Sequence, residues 1–208
     1  MRNLVFIFGW LLVGILFVSE SSADWPQFRG PSGNGYLGEL NHPTQWSMEE
    51  NLAWSKAIPG GGWASPITVG KRIFITTAVD SKNTKPLGHA GGVRNMRGKK
   101  PTEPFDFKLI CLNLEDGSTQ WEKNIVQEQP KYAIHPSNTY STESPVTDGK
   151  HVFCYFATIG KIAAVSLKGK LVWTVNIGAF PSGNGFGTGS SLALYEDTLF
   201  IQCDNDKD

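Results

Sequence analysis

The chain contains the stretch Ser65-Pro66-Ile67-Thr68-Val69-Gly70-Lys71-Arg72-Ile73-Phe74-Ile75 and repeats it, 79 residues later, as Ser144-Pro145-Val146-Thr147-Asp148-Gly149-Lys150-His151-Val152-Phe153-Cys154. Eight of the eleven positions are identical or exchange Ile for Val. A third, weaker copy occupies residues 191–201, with Phe200 nine positions after Ser191. Copies that share a phase indicate a repeat architecture, in which each copy is one structural unit.

The second half of the unit also repeats. An apolar triplet, a turn and a Trp-containing strand run from Leu112 to Ile125 and again from Val165 to Ile177, and the same element stands alone at Trp54. The pair Asp116-Gly117 is a hairpin signal, because these residues tolerate positive φ. Each unit is therefore predicted to contain four short antiparallel strands and one large aromatic residue.

The spacing of the copies identifies the type of repeat. Ser144 and Ser191 are 47 residues apart, and Trp121 and Trp173 are 52 apart, close to the ~40–50 residues of a four-stranded propeller blade. The interval between Ser65 and Ser144 is longer, 79 residues, which predicts an insertion at 80–106, between the second and third strands of the first unit. We predict an all-β fold, a β-propeller of four-stranded antiparallel blades.

The start of the chain has the three regions of a secretory signal peptide. Arg2 precedes an apolar run from Leu4 to Val18, and the small residues 21–23 follow. The alternative is a membrane anchor, but the run is shorter than the ~20 residues of a bilayer-spanning helix. We expect cleavage after Ala23, no membrane span in the mature protein, and export to the periplasm or the medium.

These features predict a division into segments. Residues 1–23 are the signal peptide, 24–50 an N-terminal extension, and 51–208 a partial propeller. Within the propeller, 51–61 is the outer strand of a closing blade, 62–127 is blade one, 141–178 is blade two, and 188–208 is a truncated third blade. Because propellers have ~4–8 blades, we expect the natural protein to be roughly twice this length. The alternative is a small open β domain.

The repeats resemble those of the pyrroloquinoline-quinone-like (PQQ-like) propeller family, within the quinoprotein alcohol dehydrogenase-like superfamily. The resemblance rests on 112–121 and 165–178, although Asn113 and Ser166 stand where the family has Asp. The segment 24–31 is also similar to the mature start of extracytoplasmic members. The resemblance implies an eight-bladed ring.

Composition and motifs narrow the classes of function. Formal net charge is zero, which argues against a nucleic-acid partner. Cys111, Cys154 and Cys203 have no metal-ligand spacing and lie in apolar runs, so they are predicted to be buried thiols. The sequence has no Gly-x-Ser-x-Gly, His-Glu-x-x-His or phosphate-loop motif. The acidic end 204–208 lacks the Gly and Glu of a calcium loop; we assign no metal, cofactor or catalytic residue.

The candidate binding residues lie in loops that we expect on one face of the ring, in 80–106, 128–141 and 180–189. The basic insertion, which contains Arg94 and Arg97, offers a surface for an acidic partner; the alternative is a solvated loop. The linker between the blades groups aromatic and polar side chains that suit ligand recognition or loop packing. The predicted ligand- or partner-binding residues are Tyr132, His135, Asn138, Tyr140, Arg94 and Arg97.

Three hypotheses for function follow. The first is a non-catalytic extracytoplasmic module that binds a small-molecule ligand or acts as a scaffold for another protein. The second, implied by the resemblance, is a PQQ-dependent alcohol or sugar dehydrogenase with Ca²⁺, whose cofactor residues lie beyond this sequence; the vicinal Cys pair of such enzymes is absent here. The third is a non-functional gene fragment. Enzymatic activity is therefore left open, because fold alone does not determine function.

Overall fold

The computed structural model describes residues 24–36, 38, 43–84 and 98–203. Over these residues the chain is all-β, and the prediction of four-stranded antiparallel sheets is confirmed. The signal peptide predicted at 1–23, Arg94, Arg97 and the acidic end 204–208 lie outside the described residues. No helix in the described ranges has the length and hydrophobicity that a bilayer span requires.

In the described part of the chain, ten strands form two four-stranded sheets and one hairpin. A 3-10 turn, Ala157–Ile159, joins β6 to β7. The first sheet contains β1 (Ile67–Val69), β2 (Arg72–Val79), β3 (Phe105–Asn113) and β4 (Thr119–Glu128); the second contains β5 (Val146–Thr147), β6 (His151–Phe156), β7 (Lys161–Ser166) and β8 (Leu171–Asn176); the hairpin contains β9 (Ala193–Tyr195) and β10 (Thr198–Phe200).

The two sheets share an irregularity that follows from the sequence repeat. In the first sheet Trp121 pairs with Cys111, and in the second Trp173 pairs with Ala164. In both, the register shifts directly after this pair. A β-bulge at a fixed place increases the local twist in the same way in each unit. The two copies are therefore equivalent in three dimensions as well as in sequence.

The hydrophobic core lies between facing sheets. Side chains alternate along each strand, so Phe107 of β3 meets Phe156 of β6 with ring centroids 5.0 Å apart, while neighbouring positions point to the opposite face. Cys111 and Cys154 lie in this core with no exposed surface, and burial raises their pKa values to about 11 and about 12. The prediction of buried thiols holds for these two, whereas Cys203 is only partly buried.

A tryptophan of each unit packs on the hairpin turn of the next. The indole Nε1 of Trp54 donates to the carbonyl of Leu114 at 3.0 Å, and that of Trp121 donates to the carbonyl of Leu167 at 3.2 Å. Glycine is required beneath each ring: an added Cβ at Gly117 or Gly169 would lie within 2.9 Å of the indole. Both glycines also have positive φ.

The segment 51–61 was predicted to be the outer strand of a closing blade. Residues 51–60 pair with none of the described strands, and Gly61 makes a single bridge to Ala78. A strand needs a neighbouring strand with which to exchange hydrogen bonds. Trp54 instead packs on the first sheet, against Ile73 and Leu112, on the face opposite the second sheet.

A second contact repeats along the inner strands. The backbone N–H of Ser65 donates to the hydroxyl of Ser144 at 2.9 Å, and the N–H of Ser144 donates to the hydroxyl of Ser191 at 3.0 Å. These are the first residues of the three sequence copies. Each copy is therefore tied to the next by the same hydrogen bond, and the weak third copy keeps the register of the first two.

The N-terminal segment pairs with the corresponding edge strand of each sheet, first with β1 and then with β5. Trp25 exchanges two backbone hydrogen bonds with Thr68, and the carbonyl of Pro26 accepts from the N–H of Thr147 at 3.0 Å. The carboxylate of Asp24 accepts from the N–H of Gly70 at 2.7 Å. Residues 24–26 thus pair with β1 and continue to β5, covering backbone groups that an open sheet edge would expose.

We expect Gly169→Ala to destabilise the protein more than Gly149→Ala. Both glycines have φ of about +80° (82° and 80°), a conformation that costs an alanine about 1–2 kcal/mol. Only Gly169 has an indole against it, while nothing lies within 4 Å of the position of a Cβ at Gly149. The clash with Trp121 should add about 1–3 kcal/mol. Urea unfolding monitored by tryptophan fluorescence measures both losses; equal losses would contradict the packing role of the turn.

Candidate functional site

A cavity of about 440 Å³ lies where the end of β2, the start of β3 and the linker before β5 meet. The insertion and the linker both contribute to its walls, as expected for loops gathered on one face. Its main lining side chains are Ala78, Asp80, Thr84, Lys99, Phe105, Ile134, His135, Pro136, Asn138, Thr139 and Tyr140.

One wall of the cavity is aromatic. The rings of Phe105 and Tyr140 meet edge to face with centroids 5.1 Å apart. Burial raises the pKa of Tyr140 to about 12, so its phenol stays neutral at physiological pH. Its hydroxyl lies 3.5 Å from the carbonyl of Tyr132. This wall suits an apolar ligand group.

His135 presents a defined tautomer to the cavity. Its Nδ1 accepts from the backbone N–H of Ser137 at 3.1 Å, and the hydroxyl of Ser137 lies 2.6 Å from the same nitrogen. Because a backbone N–H can only donate, the neutral ring carries its hydrogen on Nε2. That Nε2 is buried and has no hydrogen-bond partner among the described residues. Buried donors of this kind mark places where a water or a ligand oxygen is expected.

Asp80 supplies a fixed negative charge to the wall formed by the insertion. Its carboxylate accepts from the N–H and hydroxyl of Thr84, at 2.7 and 2.6 Å, and from the N–H of Lys82 at 3.2 Å. Partial burial raises the pKa of Asp80, but these hydrogen bonds outweigh it and leave the pKa below its usual value. The group is therefore ionised and held in place at neutral pH.

Of the four predicted site residues in the linker, the structure brings three together and separates the fourth. His135, Asn138 and Tyr140 line the cavity, whereas Tyr132 is absent from its lining. Burial raises the pKa of Tyr132 to about 12, and the groups that interact with it include Thr188 and Glu143. That these residues contact a ligand stays a prediction, as does the role of Arg94 and Arg97.

Sequence reasoning missed Glu143. Its side chain is only 2% exposed, and it accepts a hydrogen bond of 2.5 Å from the hydroxyl of Thr188. Burial raises its pKa, even though the Thr188 hydroxyl and nearby backbone amides lower it. A signal was present in the repeat: the equivalent positions of the other copies hold Ala64 and Ser190, so an acidic residue at this position departs from the pattern.

A second, smaller cavity of about 190 Å³ lies between the second sheet, residues of the segment 180–190 and the residues that follow β10. Tyr155, Thr188 and Cys203 contribute to its lining, and the hydroxyl of Tyr155 lies 3.7 Å from the Cys203 sulfur. Burial raises the pKa of Tyr155. The uncharged side chains of this cavity therefore lie close to the buried carboxyl of Glu143.

Residues 186–188, here called the partition segment, contact His135 and Asn138 of the larger cavity and contribute Gly187 and Thr188 to the lining of the smaller one. The side-chain amide of Asn138 donates to the carbonyl of Phe186 at 2.8 Å and lies 3.5 Å from that of Thr188. The Phe186 ring lies 5.7 Å from the His135 ring, centroid to centroid. Gly187 is so close that an added Cβ would lie 2.6 Å from the Asn138 amide nitrogen. Asn138 on one side and Glu143 on the other thus bind this segment.

A search of the described ranges for three or more His, Cys, Asp or Glu side chains that could hold a metal ion finds no such group.

Comparisons with known proteins place the chain in no family. No family model matches it, and no curated protein matches it. Among solved structures, it is similar to the crystal structure of BamB from Moraxella catarrhalis, with 14% sequence identity and a TM-score of 0.33. The match covers 67% of this chain and 39% of that one. The chain thus spans less than half of the length of that protein.

We expect Glu143→Gln to gain stability relative to the wild type as pH rises. A folded-state pKa above the unfolded value of about 4.3 gives a stabilising contribution that is full below that value. The contribution is lost between the unfolded and folded pKa values, because the buried group retains a proton that the unfolded chain releases. The neutral amide has no such loss. Urea unfolding at a series of pH values from about 4.3 upward measures the difference in the free energy of unfolding between the two proteins.

The control is Glu122→Gln, which removes an exposed carboxyl 3.7 Å from Lys108. The difference in the free energy of unfolding between Glu122→Gln and the wild type should not grow with pH as it does for Glu143→Gln. If the two variants follow the same curve, the burial of Glu143 does not affect stability as argued.

Proposed function

We propose that the chain is part of an exported PQQ-like β-propeller repeat protein, a non-catalytic module that binds a small-molecule ligand on the loop face. The proposal has three parts: the propeller, the export and the ligand site. Each part rests on different residues.

The two repeating contacts support the propeller. Trp54 and Trp121 each pack on a glycine turn of the next unit, and the Ser65–Ser144 and Ser144–Ser191 hydrogen bonds tie the inner strands in series. Units that meet their neighbours through identical contacts are characteristic of repeat proteins. Trp173, which is 40% exposed, has the same place in its sheet as Trp121 and offers the same contact to a further unit.

The sequence alone supports the export. Residues 2–23 have the charged, apolar and small-residue regions of a signal peptide. The segment 24–31 resembles the mature start of extracytoplasmic propellers, and its residues 24–26 pair with β1 and β5.

The cavity of about 440 Å³ is the single observation that carries the ligand site. Small-molecule sites are typically ~300–1,000 Å³ in volume, largely apolar, with a few polar groups that fix orientation. Phe105 and Tyr140 supply the apolar wall, and His135 and Asp80 supply the polar groups. The ligand that fits is a small molecule with an apolar ring and hydrogen-bonding substituents.

Asp80 and Lys99 both line the cavity, and because hydrogen bonds from Thr84 hold the Asp80 carboxylate in place, we expect a cationic substituent beside it to be favoured. We expect tryptamine, a cation, to bind more tightly than indole-3-acetate, an anion with the same ring. Isothermal titration or ligand-observed NMR with these two probes measures the preference. Asp80→Asn should reduce it, because the variant removes the charge and keeps the shape. A stronger affinity for the anion would contradict the role of Asp80.

A matched pair of histidine variants tests the location of the site. His135→Ala should weaken binding of the bound probe about tenfold, the loss of roughly one hydrogen bond and one ring contact. His151→Ala changes an exposed ring paired with Asp148 and should leave binding unchanged. If neither probe binds at millimolar concentration, or if both variants weaken binding equally, the small-molecule function is wrong.

A further inference from the structure

The partition segment belongs to a stretch without regular secondary structure between β8 and β9. Side chains from the linker hold it: Asn138 bonds its backbone, and Glu143 accepts from Thr188. Because Phe186 packs on His135, any movement of this segment changes one side of the proposed ligand site. The position of the site wall therefore depends on the group that binds Thr188.

The groups around Glu143 are uncharged hydrogen-bonding side chains. Tyr132 from the linker, Tyr155 from β6 and Cys203 after β10 are the titratable groups near it, and Thr188 faces it from the partition segment. None of the ion pairs found in the described part of the chain involves Glu143. A buried carboxylate without a cationic partner is unfavourable, because hydrogen bonds from one hydroxyl and backbone amides replace only part of the hydration that it loses.

Loss of the proton from Glu143 therefore favours any opening that brings water to the carboxylate. Among the elements that cover it, Tyr155 is fixed within a four-stranded sheet. The partition segment lacks a strand ladder, and segments of this kind open at the lowest free energy. We therefore expect the partition segment to open, and the sheet that contains Tyr155 to stay in place.

We propose that Glu143 is a positioning residue of the ligand site, which holds the partition segment closed against His135 through Thr188 while its carboxyl is neutral and releases the segment when the carboxyl is charged. This inference rests on the proposed function for its biological meaning. The coupling itself is a property of the protein without ligand, so it is tested without one.

Hydrogen–deuterium exchange of the full chain, followed by mass spectrometry on peptides that cover 180–191, tests the proposal. The comparison is made between variants at each pH, so that the intrinsic pH dependence of exchange cancels. At about pH 4, below the ordinary pKa of a glutamate, the wild type and Glu143→Gln should exchange alike, and at about pH 8.5 the wild type should exchange at least roughly tenfold faster in this segment. Peptides from β3 should show no difference.

Two further variants separate positioning from a purely structural role. Thr188→Val removes the hydroxyl and keeps the shape, so it should speed exchange of the segment at both pH values. Glu122→Gln should behave as the wild type. If the wild type and Glu143→Gln exchange alike at both pH values, or differ by the same factor at both, the proposal is wrong.

The ligand measurement distinguishes the two proposals. If a probe binds, the wild type should lose affinity at about pH 8.5 relative to Glu143→Gln, by a factor set by the fraction of molecules in which the segment stays closed. If no probe binds but exchange follows the expected pattern, the positioning role stands and the proposed ligand function falls. If a probe binds with no pH-dependent difference in exchange between the two proteins, the ligand function stands and the positioning role falls.

Discussion

The contact of an indole with a glycine turn determines how the sheets of this protein meet. Trp121 reaches from β4 across to Gly169, and its Nε1 is satisfied by the carbonyl of Leu167 at 3.2 Å. The turn must supply positive φ and leave space for the ring at the same residue, and only glycine meets both requirements. Because Trp54 makes the same contact with Gly117, the first sheet is fixed from both faces. The core between Phe107 and Phe156 follows from that arrangement.

The fixed spacing of the sheets constrains the linker that joins them. After β4 the chain must return to the inner end of the second sheet, where Ser144 bonds the first and third copies. Its path crosses the loop face, so Tyr140, Asn138 and His135 lie beside the insertion. The same return brings Glu143 to the boundary with the third copy, where Thr188 lies. One connection therefore supplies both the cavity wall and the buried carboxyl behind it.

Self-comparison of the sequence predicted the parts of the fold that repeat. The four-stranded sheets and the turn at Asp116-Gly117 follow from phased apolar positions, and the apolar runs around Cys111 and Cys154 predicted their burial. The assignment of 51–61 as the outer strand of a closing blade stays a prediction, because none of the described strands belongs to that blade, although Trp54 makes the same contact as Trp121. Tyr132 was grouped with Tyr140 by proximity in sequence, but the linker turns between them, and only Tyr140 lines the larger cavity.

Glu143, the buried carboxyl of the candidate site, lies at a position where the copies differ. The periodicity of the sequence therefore could not reveal it. A residue that all copies share, such as the serine at the start of each copy, is required for the contacts between the units. Where one copy has Glu143 and the others have Ala64 and Ser190, packing does not require a carboxyl, and burial makes one costly. The pH at which the buried carboxyl of Glu143 loses its proton depends on how the partition segment covers it. The partition segment therefore responds when the proton is lost. In a repeat protein, the departures from the repeat are thus the first positions in which to look for function.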